Sequence, residues 1–395
     1  MTKLLIRILA CMLCLSLLPL PGVAEMKEDE SVFTDKMVER SLTAVGNTER
    51  MQRAIAKARA GEEVTLVYLG GSITEGASAK PQATRCYAYL SAQMFAEKFM
   101  PDPSRLRYVN AGISGTPSLL GITRAAQDVL VHEPDVVFVE FAVNDSNDPT
   151  SQMVYESLVR KLLTSESQPA VVLIFTLLNS YYSCQPHMML IGKHYDLGMI
   201  SVKDAVQPQI MSGAMKWADY SADYAHPTTE GHAFVAQLVG NYFDHAAATP
   251  AQPYVMPDKP RIGNALETLV NVRNGDACIV DTGCFPFGGA SCYSYKQGWR
   301  HLSAASGTDP MVLRLTCSHL TFAFKQERNT QCGKAEIWVD GKLKQTLNGY
   351  ADNAWGNVVT VMLSLGESTE HTIEIRMAEG DEAKRFTLLD VAYVP

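Results

Sequence analysis

The sequence predicts a three-layer α/β/α domain built on a parallel sheet, followed by an all-β sandwich. Three observations predict it. Compact Val/Ile/Leu runs recur through the first two thirds of the chain, the first of them stopping at Gly70-Gly71. Continuous apolar runs, rather than strict alternation, are what strands covered on both faces look like. Stretches of helical periodicity fall between them, and that alternation implies a parallel sheet with helices on both sides. From about position 249 the texture changes to short alternating runs broken by turn residues, the pattern of a sandwich.

In chain order, residues 1–24 read as a secretory signal peptide. Lys3 and Arg7 make a short basic region, an apolar stretch covers 8–20, and Pro21, Gly22, Val23 and Ala24 supply small residues before Glu25. The stretch is too short to span a bilayer comfortably and has the flanks of a cleaved leader. Cys11 comes too early, and Cys14 follows Leu13, for a lipid-anchoring signal. Residues 25–61 form a helical lead-in, with a helix over 48–60 stopped by Gly61. The α/β domain covers 62–248. Its strands are expected at 64–69, 106–110, 135–142 and 170–176, with a weaker one near 199–202. Its helices are expected at 85–99, 118–130, 154–163 and 229–243. Pro250, Pro253, Pro257 and Pro260 mark a linker over 249–265. The sandwich covers 266–395, with strands at 312–317, 320–324, 335–339, 358–363, 372–376 and 386–394 and a hairpin turn at Asp340-Gly341.

A chain of 395 residues is too long for one ordinary core. With 47% hydrophobic and 19% charged residues it has the balance of a folded globular protein. The net charge of −8 argues against nucleic acid or an anionic membrane as main partner, because both reward basic patches. No segment beyond the leader is long and apolar enough for stable membrane insertion. The cysteines beyond the leader are Cys86, Cys184, Cys278, Cys284, Cys292, Cys317 and Cys332. The cluster after position 277, in an exported chain, allows one or two disulfides. It lacks the paired CxxC spacing of a zinc site.

In an open parallel sheet, ligands bind beyond the carboxyl ends of the strands. Four blocks fall there: Gly70-Gly71-Ser72-Ile73-Thr74, Asn110-Ala111-Gly112-Ile113-Ser114-Gly115-Thr116, Ala142-Val143-Asn144-Asp145 and Asp223-Tyr224-Ala225-His226-Pro227. Singly, each has a plainer reading. Ser72 could cap a helix, and Asn144-Asp145 could be an ordinary strand-end turn. Together at one sheet edge they suit acyl transfer. A serine hydroxyl becomes a nucleophile when a base takes its proton, and an unperturbed imidazole titrates near working pH. Asp223, three residues before His226, can fix the ring's tautomer. Donors for an oxyanion could come from the Ser72 N–H, a glycine of the second block (Gly112 or Gly115) and the Asn144 amide.

The four blocks resemble those of the SGNH hydrolases, the GDSL-type esterase and lipase superfamily. The serine block, ordinarily Gly-Asp-Ser, is similar here to a variant found among carbohydrate esterases. The resemblance covers roughly 62–243 and implies a flavodoxin-like parallel sheet. It implies Ser72 as nucleophile, His226 as base with Asp223 behind it, and Ser72, Gly115 and Asn144 as the oxyanion hole. Ala142 replaces a usual glycine and Thr228 a frequent asparagine, which bears on pocket shape. No cofactor is implied, since the Gly70-Gly71 turn lacks a dinucleotide or P-loop spacing. Metal readings of Asp223, His226 and His232, or of Asp145 with Asp148, lack a full ligand set. His232 lacks an aspartate three residues earlier and reads as a packing histidine. Asp145 reads as structural, and His187 and His194 as either cleft-lining or buried.

The β module, with Lys334-Ala335-Glu336-Ile337-Trp338-Val339-Asp340-Gly341 and His371-Thr372-Ile373-Glu374-Ile375, loosely resembles sandwich modules attached to carbohydrate esterases. Trp299, Trp338 and Trp355 could stack on sugar rings or lie in the core. The expectation is a secreted serine esterase that removes acyl groups, O-acetyl above all, from a polysaccharide or oligosaccharide. The alternatives are a lipase, lysophospholipase or thioesterase on longer chains, a glycan O-acyltransferase, and a non-catalytic glycan-binding protein.

Overall fold

The first sheet holds six strands: β1 (Leu42–Ala44), β2 (Val64–Gly70), β3 (Leu106–Gly112), β4 (Val136–Glu140), β5 (Ala170–Phe175) and β6 (Gly198–Ser201). Their spatial order is β1-β6-β5-β4-β2-β3. Strands β2 to β6 run parallel, and β1 closes one edge antiparallel to β6. The structure, a computed structural model, describes residues 32–395, so the leader assigned to 1–24 lies outside the described residues. From Phe33 to Pro395 the chain forms one compact unit.

Every residue of β2, β4 and β5 is buried, the outcome that their unbroken apolar runs predict. The period of two sorts their side chains. Leu66, Tyr68 and Phe138 pack against helices Glu49–Arg59, Tyr87–Phe99 and Thr229–Ala248 on one face. Val67, Leu69 and Val139 pack against helices Ser118–Asp128, Pro149–Leu163 and Gln185–His194 on the other. Helix Pro149–Leu163 starts five residues before the expected point. Asp148 caps it, accepting the N–H groups of Thr150 and Ser151 at 2.8 and 3.0 Å, with Pro149 in the first turn.

The second half holds β7 (Val270–Asn271), β8 (Ile279–Asp281), β9 (Phe287–Cys292), β10 (Tyr295–His301), β11 (Met311–Gln326), β12 (Lys334–Val339), β13 (Lys342–Asn348), β14 (Asn357–Met377) and β15 (Phe386–Val394). The order is β13-β12-β14-β11-β15-β10-β9, with β7 on β15 and β8 on β11, and all pairings are antiparallel. Two pairs of expected strands are joined. Segments 312–317 and 320–324 are one strand, β11, whose pairing with β14 slips between Cys317 and His319; segments 358–363 and 372–376 are likewise one strand, β14. The slip lets both long strands bend over the core of Leu313, Phe322, Ile337 and Ile375. Asp340 and Gly341 take φ values of 50° and 71°, both positive as a two-residue hairpin turn of this kind requires.

The module lies directly on the α/β half. Residues 311–317 of β11 alternate buried and open, but 320–324 are buried throughout, because their second face meets helix Ser118–Asp128. Ala323 and Leu389 share a cluster with Ile113 and Leu120, and Ala392 and Val394 enter the core of the α/β half. The proline-rich stretch is anchored. The fully buried Glu156 accepts the backbone N–H groups of Arg261, Ile262 and Gly263 at 2.5, 2.6 and 2.8 Å. All seven described cysteines are unpaired, so the disulfides that the cluster after 277 allowed are not formed among the described residues. No described helix is long and apolar enough to cross a membrane.

Candidate active site

Strand β2 delivers its chain to Gly70 and Gly71, and a short helical turn, Ser72–Glu75, follows at once. The turn is packed too tightly for a side chain at Gly71, where a Cβ would stand 2.4 Å from Asn144 Oδ1. Ser72 is thereby held at the sheet edge, 8% exposed. Its Oγ lies 2.8 Å from His226 Nε2. His226 Nδ1 lies 2.8 Å from Asp223 Oδ2, while Asp223 Oδ1 accepts the N–H groups of Ala225 and His226, each at 2.8 Å. The segment is fixed from below by Ser221, whose hydroxyl donates to the carbonyl of His226 at 2.7 Å, and by Trp217 Nε1 donating to the carbonyl of Asp223 at 2.6 Å. Partial burial works against the Asp223 charge, but those backbone N–H groups and the imidazole outweigh it and hold the carboxyl below its usual value. With the Nδ1 proton held by Asp223, Nε2 is the free acceptor for the Ser72 hydroxyl.

The other blocks converge on the same spot. Gly115 has φ +71°, and its turn is pinned by Thr116 Oγ1 donating to Ile113 O at 2.7 Å and by a short hydrogen bond from Ser114 Oγ to Glu75 Oε2. Asn144 lies against Gly71. Its Oδ1 is buried without a partner among the described residues, and Nδ2 remains available to donate. Asp145 is structural: buried, it accepts the Ser118 N–H at 2.7 Å and so ties this turn to the next helix, and burial raises its carboxyl to about 7. Thus Ser72, His226 and Asp223 are joined by hydrogen bonds, Asn144 lies against the residue before the serine, and the Gly115 turn is tied to the serine's helical turn through Ser114 and Glu75.

His232 is placed elsewhere. It is fully buried, Nδ1 accepting the Tyr87 N–H at 3.3 Å and Nε2 donating to Ala77 O at 3.1 Å, and burial lowers its pKa to about 4. It stays neutral at working pH. His194 turns to Lys259 O at 2.8 Å, and His187 is buried. Among the described residues no group of three or more His, Cys, Asp or Glu side chains could hold a metal.

Two further residues belong to this neighbourhood. Trp355, 61% exposed, comes from the β module, and its ring atoms lie 3.0 Å from where a Gly115 Cβ would stand. Its Nε1 donates to Tyr293 OH at 3.2 Å. Trp299, by contrast, is 2% exposed against Phe287, and the Trp338 ring is covered by Arg376 at 4.4 Å. Glu140, at the end of β4, is fully buried beneath the serine turn. Sequence reasoning passed over it, although a charge inside a strand covered on both faces has no solvent face to occupy.

Residues 68–234 match the model of the GDSL-like Lipase/Acylhydrolase family. This segment is a GDSL-like lipase/acylhydrolase domain. The whole chain is similar to two solved structures of a two-domain esterase (CEX) active on acetylated mannans, one co-crystallised with mannopentaose. The first has a TM-score of 0.79 at 28% identity, over 91% of this chain and 98% of that one. The second has a TM-score of 0.78 at 28% identity, over 91% of this chain and 99% of that one. No curated protein sequence matches the chain. The GDSL-like domain and these esterase neighbours make the protein a carboxylic ester hydrolase with a β-sandwich module.

Proposed function

We propose that the protein is a secreted acetyl esterase that removes O-acetyl groups from a polysaccharide or oligosaccharide. The reading rests chiefly on the chain of 2.8 Å contacts from Ser72 through His226 to Asp223 in a GDSL-like domain. Ser72 Oγ attacks the ester carbonyl carbon as His226 Nε2 takes its proton, and Asp223 stabilises the imidazolium. The oxyanion meets the N–H groups of Ser72 and Gly115 and the Asn144 amide, each such donor typically worth roughly 10²- to 10³-fold in rate. Collapse of the intermediate breaks the bond to the sugar oxygen, which leaves with the proton from Nε2. Water, deprotonated by the same nitrogen, then releases acetate from the acyl-serine.

Three observations favour a small acyl group on a sugar. The side chains of His226 and Asp223 are 27% and 51% exposed, so the site lies open at the surface. An exposed indole, Trp355, borders the oxyanion turn, where an aromatic face suits a sugar ring. The two-domain neighbours act on acetylated mannans. The leader at 1–24 carries the export assignment. We take 62–248 as the catalytic domain after a lead-in at 25–61, with a linker at 249–265 and an accessory module at 266–395.

The test is acetate release from acetylated mannan, acetylated xylan and p-nitrophenyl acetate, wild type beside Ser72→Ala. Serine-dependent release from a polymer is expected. Turnover of longer-chain esters alone would overturn the carbohydrate reading, and release undiminished in Ser72→Ala would overturn the nucleophile.

A further inference from the structure

Ser72 and Gly115 lie on different segments, one just past β2 and the other just past β3, so joint action on one oxyanion needs the two turns held in register. Up to Ile113 the segments interlock. The Ile113 N–H donates to the carbonyl of Gly70 at 3.1 Å, carrying the contact between β2 and β3 past the strand ends. Asn110 Nδ2 donates to the carbonyl of Thr74 at 2.9 Å, while its Oδ1 accepts the Gly112 N–H at 2.9 Å. At Gly112 the approach is so close that a Cβ would stand 2.2 Å from the Glu75 nitrogen.

Beyond Ile113 the chain turns outward. Gly115 is exposed, has φ +71° and carries no side chain, so its neighbours decide where its N–H stands. The side-chain hydrogen bond from this turn to the serine's runs between half-buried groups, Ser114 Oγ donating to Glu75 Oε2. Glu75 is a firm anchor because its own backbone is fixed. It ends the Ser72–Glu75 helical turn, its N–H donates to the Gly71 carbonyl at 3.0 Å, and its carbonyl accepts Gln82 Nε2 at 3.1 Å. Gly76, at φ +100°, closes the turn by donating to the Ser72 carbonyl at 3.0 Å. The nucleophile and the anchor therefore share one short, closed turn.

We propose that Glu75 is a positioning residue: through Ser114 it holds the Gly115 turn in register with Ser72, so that the N–H groups of both meet the same oxyanion. This rests on the esterase reading of Ser72 and on Gly115 as a donor. Oxyanion donors act by being in place before charge develops, and one free to drift loses part of its effect. The loss falls on the transition state, where the oxygen is charged, more than on the bound ester, so it belongs to kcat rather than KM.

The test compares wild type and Ser72→Ala with Ser114→Ala, Glu75→Ala, their double variant and Glu75→Gln. One readout is steady-state turnover of p-nitrophenyl acetate. The other is inhibition by phenylboronic acid, whose tetrahedral adduct with a catalytic serine places an oxygen where the donors converge. Each alanine variant should lose about 10-fold in kcat with KM within about twofold, and its inhibition constant should rise by a similar factor. The double variant should be no worse than either single one, because both remove the same bond. Glu75→Gln keeps an amide oxygen to accept from Ser114 and should recover most of the loss, to within about threefold of wild type. A lowered melting temperature with kcat and inhibition unchanged would make the contact purely structural and overturn the proposal, as would additive losses in the double variant. Should Glu75→Ala not fold, Ser114→Ala beside Glu75→Gln decides the matter by the same criteria. A wild type that neither turns over ester nor binds the boronic acid brings down the esterase reading and this proposal with it. Ser72-dependent turnover beside an unimpaired Ser114→Ala overturns this proposal alone.

Discussion

At Asp223 one oxygen takes two backbone N–H groups and the other takes the imidazole, so the same carboxylate shapes the turn and fixes the ring. Asp223→Asn separates those tasks. The amide oxygen can still accept the two backbone N–H groups and keep the turn, while the NH₂ faces Nδ1 and drives the ring proton onto Nε2. His226 then has no lone pair for the Ser72 hydroxyl. Asp223→Asn should lose on the order of 10⁴-fold in kcat, at little cost in KM or melting temperature, measured by steady-state kinetics and calorimetry. A loss confined to KM would contradict the role. Ser72 and Asn144 could be singled out in the sequence because reactive side chains just past apolar runs have few other duties, and Asp223 and His226 because of their three-residue spacing just before the last helix. Glu140 stood inside a run expected to be covered on both faces, which signals burial, but nothing in the sequence shows which groups its carboxyl meets. Trp355 was one of three candidate tryptophans, and only the meeting of the two halves distinguishes it from Trp299 in the core.

At the scale of the element, burial follows what each strand meets. The unbroken runs of β2, β4 and β5 announced helices on both faces, and they have them. Strand β1 has three residues, too few for a period, and went unpredicted. The bend in β11 made one strand read as two, since its alternation stops where helix Ser118–Asp128 covers the second face. Asp390 of the neighbouring β15 is buried too; it accepts Asn271 Nδ2 at 2.8 Å, and burial pushes its carboxyl up to about 7. The sign is fixed by linkage: the folded state holds this proton more tightly than the unfolded chain does. The group's contribution is therefore best below the ordinary carboxylate range and is lost as pH rises towards 7. Asp390→Asn removes that titration. Its melting temperature relative to wild type should rise between pH 5 and pH 8 in parallel thermal melts, and a constant difference would show that Asp390 ionises freely in the fold.

Across the whole molecule, the two halves share buried surface. Ile113 and Leu120 of the hydrolase domain pack on Ala323 and Leu389, and Ala392 and Val394 complete a core begun by Val67 and Leu158. The strap held by Glu156 and the Arg160–Glu267 ion pair at 2.6 Å lead the chain into that contact. A protein ended at residue 265 would expose these apolar residues together, and contiguous patches of that kind promote aggregation. Such a truncation should give aggregated or low-melting material by size-exclusion chromatography and thermal melt, where a monomeric, fully active fragment would refute the shared core. The sequence signalled the change from α/β to β texture but not this union, because each half carries a plausible pattern by itself.

The Trp355 ring stands where a side chain on Gly115 would begin. Any enlargement at one position has to be matched by retreat at the other. Recombination that grafted this module onto a foreign hydrolase, or the reverse, would bring together surfaces never fitted to each other. The hydrolase and its module should therefore descend as a pair rather than circulate as interchangeable parts.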